Sequence, residues 1–243
     1  MQHTMIRVFK FALSIVCLLV VTLGQVSAGP IITEPTSLSP GDSYRLAFLT
    51  SQTHNAVSTD IGVYNTFVDG LGDANVLVSD WRAIGSTSTV DARDNTGTNP
   101  FTDGVGVPIF MVNDVLLAND YADLWDGSIA SGINYGDDGA VAERDVWTGS
   151  ETDGTARTAA YLGWSSGPRL VRFGFSGLGS GEWVTDEHEV YTAQLNLYAM
   201  SDVLVMPGAV VPEPSSLMLL GIGAVGLLGY RLRRKRKLSP ATS

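Results

Sequence analysis

The sequence is poor in cysteine and histidine. Among its 243 residues are one cysteine and three histidines, and Cys17 lies in an apolar stretch near the start. Residues 29–211 therefore cannot form a disulfide, a thiolate metal site or a cysteine nucleophile.

Positive charge is equally scarce in the middle of the chain. Residues 29–211 contain seven arginines and no lysine against 24 acidic residues, a formal charge of −17. A surface of this sign repels phosphate backbones, so we expect no nucleic-acid partner. The length suits one domain over residues 29–209, large enough to bury most of its unfolded surface.

The first 28 residues have the order of a secretory signal. Arg7 and Lys10 precede an apolar run over residues 11–23, and small residues lead up to Ala28. This order is typical of a signal peptide that is cleaved between Ala28 and Gly29. A retained membrane anchor is the alternative, although the run is short for a bilayer span of ~20 residues.

Residues 210–238 form a tail of three parts, followed by a short end at residues 239–243. The first part is a proline-containing motif, and the second is a span over residues 215–232 whose apolar stretch runs from residue 217 to residue 230. The motif is Val211, Pro212, Glu213 and Pro214, and the basic cluster that makes the third part is Arg231, Arg233, Arg234, Lys235, Arg236 and Lys237. Basic residues beyond a span hold that end in the cytoplasm. We therefore expect a C-terminal transmembrane helix, with the acidic middle outside the cytoplasmic membrane.

This tail resembles the PEP-CTERM sorting signal of bacterial exosortase substrates. The resemblance implies that an exosortase-type membrane enzyme recognises the Pro-Glu-Pro segment and removes the tail. The protein would then be anchored only transiently, before it reaches the cell envelope or the extracellular matrix. An ordinary tail anchor behind a proline-containing linker is the alternative.

The middle of the chain predicts an α+β domain rich in loops. Residues 43–50 are rich in aromatic and branched side chains and predict a strand. Apolar residues at helical spacing over 60–71 predict a helix that Ser58 or Thr59 caps and that Gly70 or Gly72 ends. Further short strands are predicted at residues 76–78, 81–84, 107–112, 115–117, 146–148, 170–175 and 191–200. Alternation in the last predicts one buried face. We expect antiparallel strands and one or two helices.

Several segments, in order, resemble the endostatin-like branch of the C-type-lectin-like fold. They are residues 81–86 (WRAIGS), 107–110 (VPIF), 116–128 (LLANDYADLWDGS), 145–150 (DVWTGS) and 197–202 (LYAMSD), with Asp153, Gly154, Tyr161 and Trp164 between the last two. The resemblance implies that the first and last strands pair. Leu162 and Ala199 stand where two of the family's cysteines align, so packing of residues such as Trp81, Trp125, Trp147 and Trp164 must hold the fold. The family's calcium-binding tripeptides are absent, so calcium-dependent sugar binding is not implied.

One segment satisfies a hydrolase pattern. Residues 163–167 read Gly-x-Ser-x-Gly around Ser165, and Asp186 and His188 follow in the order of an α/β-hydrolase. Because Pro168 comes next and no helical pattern follows, we expect a loop, with a solvated turn at residues 186–189. His54 is expected on a surface loop. We therefore predict no catalytic residue; a secreted hydrolase that uses Ser165 or a carboxylate pair is the alternative.

Acidic residues also cluster in the loops. Asp137, Asp138, Glu143 and Asp145 are candidate ligands for a structural calcium ion, since calcium takes six to eight oxygen ligands and tolerates irregular loops. Solvated turns are the alternative. We expect no other cofactor. The predicted function is a non-catalytic surface interaction or a structural role in the envelope or exopolysaccharide, with extracellular polysaccharide as a partner; a calcium-dependent glycan-binding module is a further alternative.

Overall fold

The computed structural model describes residues 28–75, 77, 79–208, 227 and 230. Its strands are β1 (Ser43–Leu49), β2 (Trp81–Ala83), β3 (Ile109–Met111), β4 (Leu116–Ala118), β5 (Asp145–Trp147), β6 (Leu170–Phe175), β7 (His188–Val190), β8 (Tyr198–Ser201) and β9 (Leu204–Val205). The helices are α1 (Ile61–Ala74) and two single turns, α2 (Ala92–Asn95) and α3 (Tyr121–Leu124), and a 3₁₀ turn lies at Gly181–Trp183. The α+β class is confirmed.

The larger sheet is built around β1. Its strand order is β2-β8-β1-β3-β4, and β9 pairs with the start of β1. The β1 strand is parallel to β3 and antiparallel to β8, with Phe48 opposite Ala199. The predicted pairing of the first and closing strands is therefore confirmed, while the C-type-lectin-like fold as a whole stays a prediction.

The closing strand is shorter than predicted. Only Tyr198–Ser201 forms a strand, all four residues are buried, and residues 191–197 form turns and isolated bridges. The prediction of one buried face was wrong because β8 lies between β2 and β1, inside the sheet. A strand covered on both faces shows no alternation of exposed and buried positions.

Helix α1 confirms the predicted helix but not its ends. Asp60 caps it, since its carboxylate accepts from the backbone N–H of Gly62 at 2.9 Å. Ser58, one of the predicted caps, instead accepts from the N–H of Asp60 at 3.1 Å. Gly70 and Gly72 lie inside the helix, which continues to Ala74.

Side chains of α1 complete the hydrogen bonds of β2, which is an edge strand. The carboxylate of Asp69 accepts from the N–H of Trp81 at 2.9 Å, and the amide oxygen of Asn65 accepts from the N–H of Ala83 at 2.9 Å. An uncovered edge would present unpaired N–H groups to other chains. The helix therefore closes this side of the sheet.

The second sheet has the order β5-β6-β7 and is antiparallel throughout. Its last strand includes His188 and Glu189 from the predicted solvated turn at residues 186–189; both are exposed as predicted, but they are extended, so the turn itself was wrong there. All three residues of β7 are exposed. Because β7 is an exposed edge strand and buries no side chain, its sequence has no apolar pattern that would predict its pairing with β6.

Tryptophans fill much of the core. Trp81, Trp125 and Trp147 are buried as expected, whereas Trp164 is only half-buried. Trp183, which the sequence analysis did not single out, is fully buried and lies 5.8 Å from Trp125 between ring centroids. Leu162 and Ala199, at the two aligned cysteine positions, are also fully buried.

The two predicted membrane segments fall largely outside the described residues. Except for Ala28, the signal peptide lies there, as do the sorting motif, the basic cluster, and Val76 and Val78 of a predicted strand. Leu227 and Tyr230 in the apolar stretch are helical. Within the part of the chain that the structure describes, no helix has the length and apolar character needed to cross a membrane.

Candidate interaction surface and sorting segment

Two pairs of contacting side chains lie in neighbouring, partly exposed segments, and we call them together the aromatic patch: Tyr161 with Trp164, and Arg169 with Tyr191. The rings of Tyr161 and Trp164 lie 5.2 Å apart at 84°. The guanidinium of Arg169 lies 5.5 Å from the centre of the Tyr191 ring, and its Nη1 donates to the Tyr191 hydroxyl at 3.0 Å. The three aromatic side chains are half-buried and Arg169 is exposed.

Backbone hydrogen bonds bring the two halves of the patch together at Ala56. The N–H of Gly163, next to Trp164, donates to the Ala56 carbonyl at 2.9 Å, and the Ala56 N–H donates to the Tyr191 carbonyl at 2.8 Å. The Tyr191 N–H in turn donates to the Arg169 carbonyl at 2.9 Å. Residues far apart in sequence are therefore held side by side.

The loop that carries the patch has unusual backbone at two positions. Gly163 has a φ of 80°, and a Cβ there would lie 2.6 Å from the Ser58 carbonyl oxygen, so only glycine fits. Arg169 has a φ of 55°, which a residue with a Cβ adopts rarely. Strained backbone that the surrounding structure maintains is frequent at binding sites.

The residues of the hydrolase pattern occupy different surroundings. Ser165 is exposed on the loop after Leu162, and no helix follows it before β6. His188 lies on β7, where its Nδ1 is 3.3 Å from Nη1 of Arg172. Partial desolvation, and then Arg172, lower the pKa of His188. The strand-to-helix turn that a nucleophile elbow needs is absent from these described residues.

His54 does not lie free on a surface loop, and that expectation was wrong. Its ring is half-buried between two aromatic side chains of α1, 5.4 Å from Tyr64 and 4.9 Å from Phe67 between centroids. Its carbonyl accepts from Nε1 of Trp147 at 2.9 Å. The residue is thus a packing element.

Two of the four calcium candidates, Asp137 and Asp138, lie in one turn and already accept hydrogen bonds from protein groups. Asp137 is fully buried, and its carboxylate accepts from the backbone and hydroxyl of Ser51 and from the amide of Asn75 at 2.9 Å. Burial raises the pKa of Asp137, although the Ser51 hydrogen bonds oppose that shift. Asp138 is exposed and accepts from the N–H of Ala140 at 3.0 Å.

The other two candidates are exposed at the second sheet. Asp145 begins β5; partial desolvation, Asp186 and Glu189 all raise its pKa. Glu143 is exposed two residues earlier. Among the described residues no three Asp, Glu, His or Cys side chains come together as a metal site would require. Calcium binding stays a prediction that none of these contacts supports.

The sequence pointed to only half of the aromatic patch. Tyr161 and Trp164 stood out through the fold resemblance, whereas Arg169 and Tyr191 carried no signal. Arg169 immediately precedes β6 and Tyr191 immediately follows β7, and these two strands pair with Leu170 opposite Val190. The sequence predicts a turn over residues 186–189 and no pairing with β6, so it does not place Tyr191 beside Arg169.

Comparison with known proteins identifies the C-terminal segment. The family model of the PEP-CTERM protein-sorting motif matches residues 210–235. No curated protein matches the chain. The match indicates that this is an exported protein with a C-terminal sorting signal. More particularly, it is a substrate that the sorting enzyme exosortase recognises through that signal.

Proposed function

We propose that this protein is a non-catalytic component of the cell envelope or exopolysaccharide that binds extracellular polysaccharide through the aromatic patch. The observation that carries the proposal is the sorting motif at residues 210–235, because it indicates delivery outside the cytoplasm. The patch supplies the surface on which the delivered domain would act.

Sorting would proceed in three steps. A signal peptidase cleaves after Ala28, and the span over residues 215–232 then holds the tail in the membrane. The basic residues 231–237 keep the end of the chain in the cytoplasm. The exosortase recognises Pro212, Glu213 and Pro214 and removes the tail, which frees the domain from its anchor.

The chemistry of the patch suits a saccharide chain. The C–H face of a pyranose ring is apolar and packs on aromatic rings, while its hydroxyls need hydrogen-bond partners. Tyr161, Trp164 and Tyr191 supply half-exposed rings and Arg169 supplies N–H donors. Three ion pairs occur among the described residues, and they use Arg82, Arg93 and Arg157, so Arg169 has no carboxylate partner there. Its guanidinium is accordingly available to a ligand.

Binding can be measured with mature protein and polysaccharide purified from the producing cells. We expect Trp164→Ala and Tyr191→Ala each to weaken binding about tenfold, since each removes a ring with which a sugar face would pack. Phe101→Ala is the matched control, because Phe101 is 81% exposed on another loop. Equal affinity of the patch variants and the control would refute the binding role.

Sorting is tested separately by the mass of the mature protein. We expect a C-terminus near Pro214, and we expect Glu213→Ala to leave a longer, membrane-bound chain. Glu187→Ala is the control, since that acid is exposed in the domain and far from the motif in sequence. A full-length chain recovered from the wild-type envelope would show that the tail is an ordinary anchor.

A further inference from the structure

The segment that follows the predicted signal peptide is bound to the domain by its backbone. The N–H of Gly29 donates to the carbonyl of Gly139 at 2.8 Å, and the N–H of Ile32 donates to the carbonyl of Val112 at 2.7 Å. The second bond joins the segment to the end of β3 in the larger sheet. Residues 29–32 are therefore held against the domain at a defined binding position, which is formed by Gly139 and Val112.

Tyr135 restricts which residue can occupy position 29. Its hydroxyl donates to the Pro30 carbonyl at 3.0 Å, and its side chain is buried. A Cβ on Gly29 would lie 2.3 Å from the Tyr135 hydroxyl oxygen, and one on Gly139 would lie 2.5 Å from the Gly29 carbonyl oxygen. Real Cβ atoms do not approach so closely, so glycine is required on both sides of the contact.

The turn of residues 135–141, which contacts Gly29, is itself hydrogen-bonded to β1. The N–H of Leu49 donates to the Tyr135 carbonyl at 2.9 Å, and the N–H of Asp137 donates to the Leu49 carbonyl at 3.2 Å. The Gly139 N–H closes the turn on the Gly136 carbonyl at 3.0 Å. The acceptor that Gly29 meets is therefore held in place by hydrogen bonds that do not involve the segment.

The turn is negatively charged. Asp137 and Asp138 immediately precede Gly139, and Asp138 is exposed. Burial and the nearby Asp138 raise the pKa of Tyr135, which places that carboxylate within electrostatic reach of the Pro30 contact. A positive charge on the nitrogen of Gly29 would lie 2.8 Å from the carbonyl oxygen of Gly139, the residue that follows Asp138 in sequence.

We propose that the turn of residues 135–141 is a binding site for the chain's own processed N-terminus, the ammonium group of Gly29. Processing breaks the peptide bond between Ala28 and Gly29. The oxygen of water becomes part of the Ala28 carboxylate, and the Gly29 amine takes up a proton. One of its three N–H groups keeps the bond to Gly139, and another is free for Asp138. The docking rests on export and signal cleavage and not on polysaccharide binding.

The amine can be followed selectively because residues 29–230 contain no lysine. Once the tail is removed, the N-terminal amine is the only aliphatic amine of the exported protein. Its N-terminus is first established by intact mass. Acylation of the amine by acetic anhydride is then compared with that of a free peptide of residues 29–36. We expect the protein to react about tenfold more slowly, as a rise of one unit in the pKa of the amine would produce.

Two variants should restore peptide-like reactivity: Asp138→Asn, which removes the carboxylate, and Tyr135→Phe, which removes the bond to Pro30. Asp73→Asn, an exposed carboxylate on α1, is the control and should react as the wild type does. Gly29→Ala should also react fast, because its Cβ would lie 2.3 Å from the Tyr135 hydroxyl oxygen and would displace the amine from the turn. If Gly29→Ala is not processed, the first two variants still decide.

A mature N-terminus other than Gly29 would overturn the proposal. So would an amine that reacts as fast in the wild-type protein as in the peptide, or an Asp138→Asn variant that reacts no faster than the Asp73→Asn control. None of these results bears on whether the aromatic patch binds polysaccharide, so the two proposals fail independently.

Discussion

The guanidinium of Arg45 donates from Nε to the hydroxyl of Tyr121 at 2.9 Å, and both side chains are buried. Its remaining partners are the carbonyls of Gly97, at 3.0 Å, and Ser201. A charge in the core of an acidic domain is thus satisfied by neutral oxygens. This one side chain joins β1, β8, α3 and the loop after α2.

Replacing Arg45 with methionine should destabilise the domain by about 2–4 kcal/mol, because it leaves a buried hydroxyl and two carbonyls without a donor. The free energy of unfolding in urea measures the loss. Arg144→Met is the control, since Arg144 is exposed, and should change stability by less than about 0.5 kcal/mol. Equal stability of the two variants would contradict the role of Arg45.

Gly70 and Gly72 offer a matched pair within α1. A Cβ on Gly70 meets nothing within 4 Å, so Gly70→Ala should stabilise the domain by up to about 1 kcal/mol through helix propensity. A Cβ on Gly72 would lie 2.5 Å from Cδ1 of Trp81, so Gly72→Ala should destabilise it by about 1–3 kcal/mol. Thermal unfolding compares them. The same sign of change in both variants would show that the Trp81 contact is not tight.

Asp137 should give stability a characteristic pH dependence. Burial raises its pKa in the folded state above the ordinary 3.8. The protonated form is therefore favoured by folding, and its contribution is complete below pH 3.8 and lost as the pH rises through the raised value. The stability of the wild type relative to Asp137→Asn should fall over that range. A constant difference between the two proteins from pH 3 to 7 would contradict the shift.

Ser165→Ala should leave the protein unchanged, since Ser165 is exposed on a loop and His188 lies beside Arg172. We expect stability within about 0.5 kcal/mol of the wild type and equal rates on chromogenic esters. Ser166→Ala, the exposed neighbour, is the control. An ester-cleaving activity that Ser165→Ala alone abolishes would instead establish a hydrolase.

Calcium should have little effect on the domain. The carboxylate of Asp137 already accepts hydrogen bonds from Ser51 and Asn75. Among the described residues no three Asp, Glu, His or Cys side chains form a group that could hold a metal ion. We expect the melting temperature to move by less than about 1 °C between chelator and excess calcium, because a ligand stabilises a fold only by binding its folded state. A rise with calcium that Asp145→Asn removes would reinstate the predicted ion.

The sequence predicted those parts of the fold in which the spacing of apolar residues along the chain matches the spacing of buried side chains in the structure. The predicted strand at residues 43–50 and the predicted helix over residues 60–71 are confirmed. A buried strand and an amphipathic helix each concentrate apolar side chains in a recognisable pattern. The cap at Asp60 was missed, since Ser58, Thr59 and Asp60 are all suitable caps and only the geometry selects one.

Contacts between distant segments could not be predicted in the same way. β7 has no buried residue, so it shows no alternation of buried and exposed positions, and the alternation over residues 191–200 predicted a strand there but not that all of β8 is buried. His54 gave no sign of its aromatic neighbours on α1. The sorting segment is the opposite case, because its recognition depends on consecutive residues, and the match at residues 210–235 confirms it.

Strand β9 also determines how the domain responds to mechanical load. It is two residues long, and Met206, which follows it, exchanges backbone hydrogen bonds with Gly41 and Asp42. Tension applied through the C-terminal tail enters at Met206, so the bonds of Met206 with Gly41 and Asp42 bear it first and the pair Val205 and Ser43 bears it next. Until the tail is removed, a pull on it would therefore detach this short strand while β1, β3 and β8 remain paired.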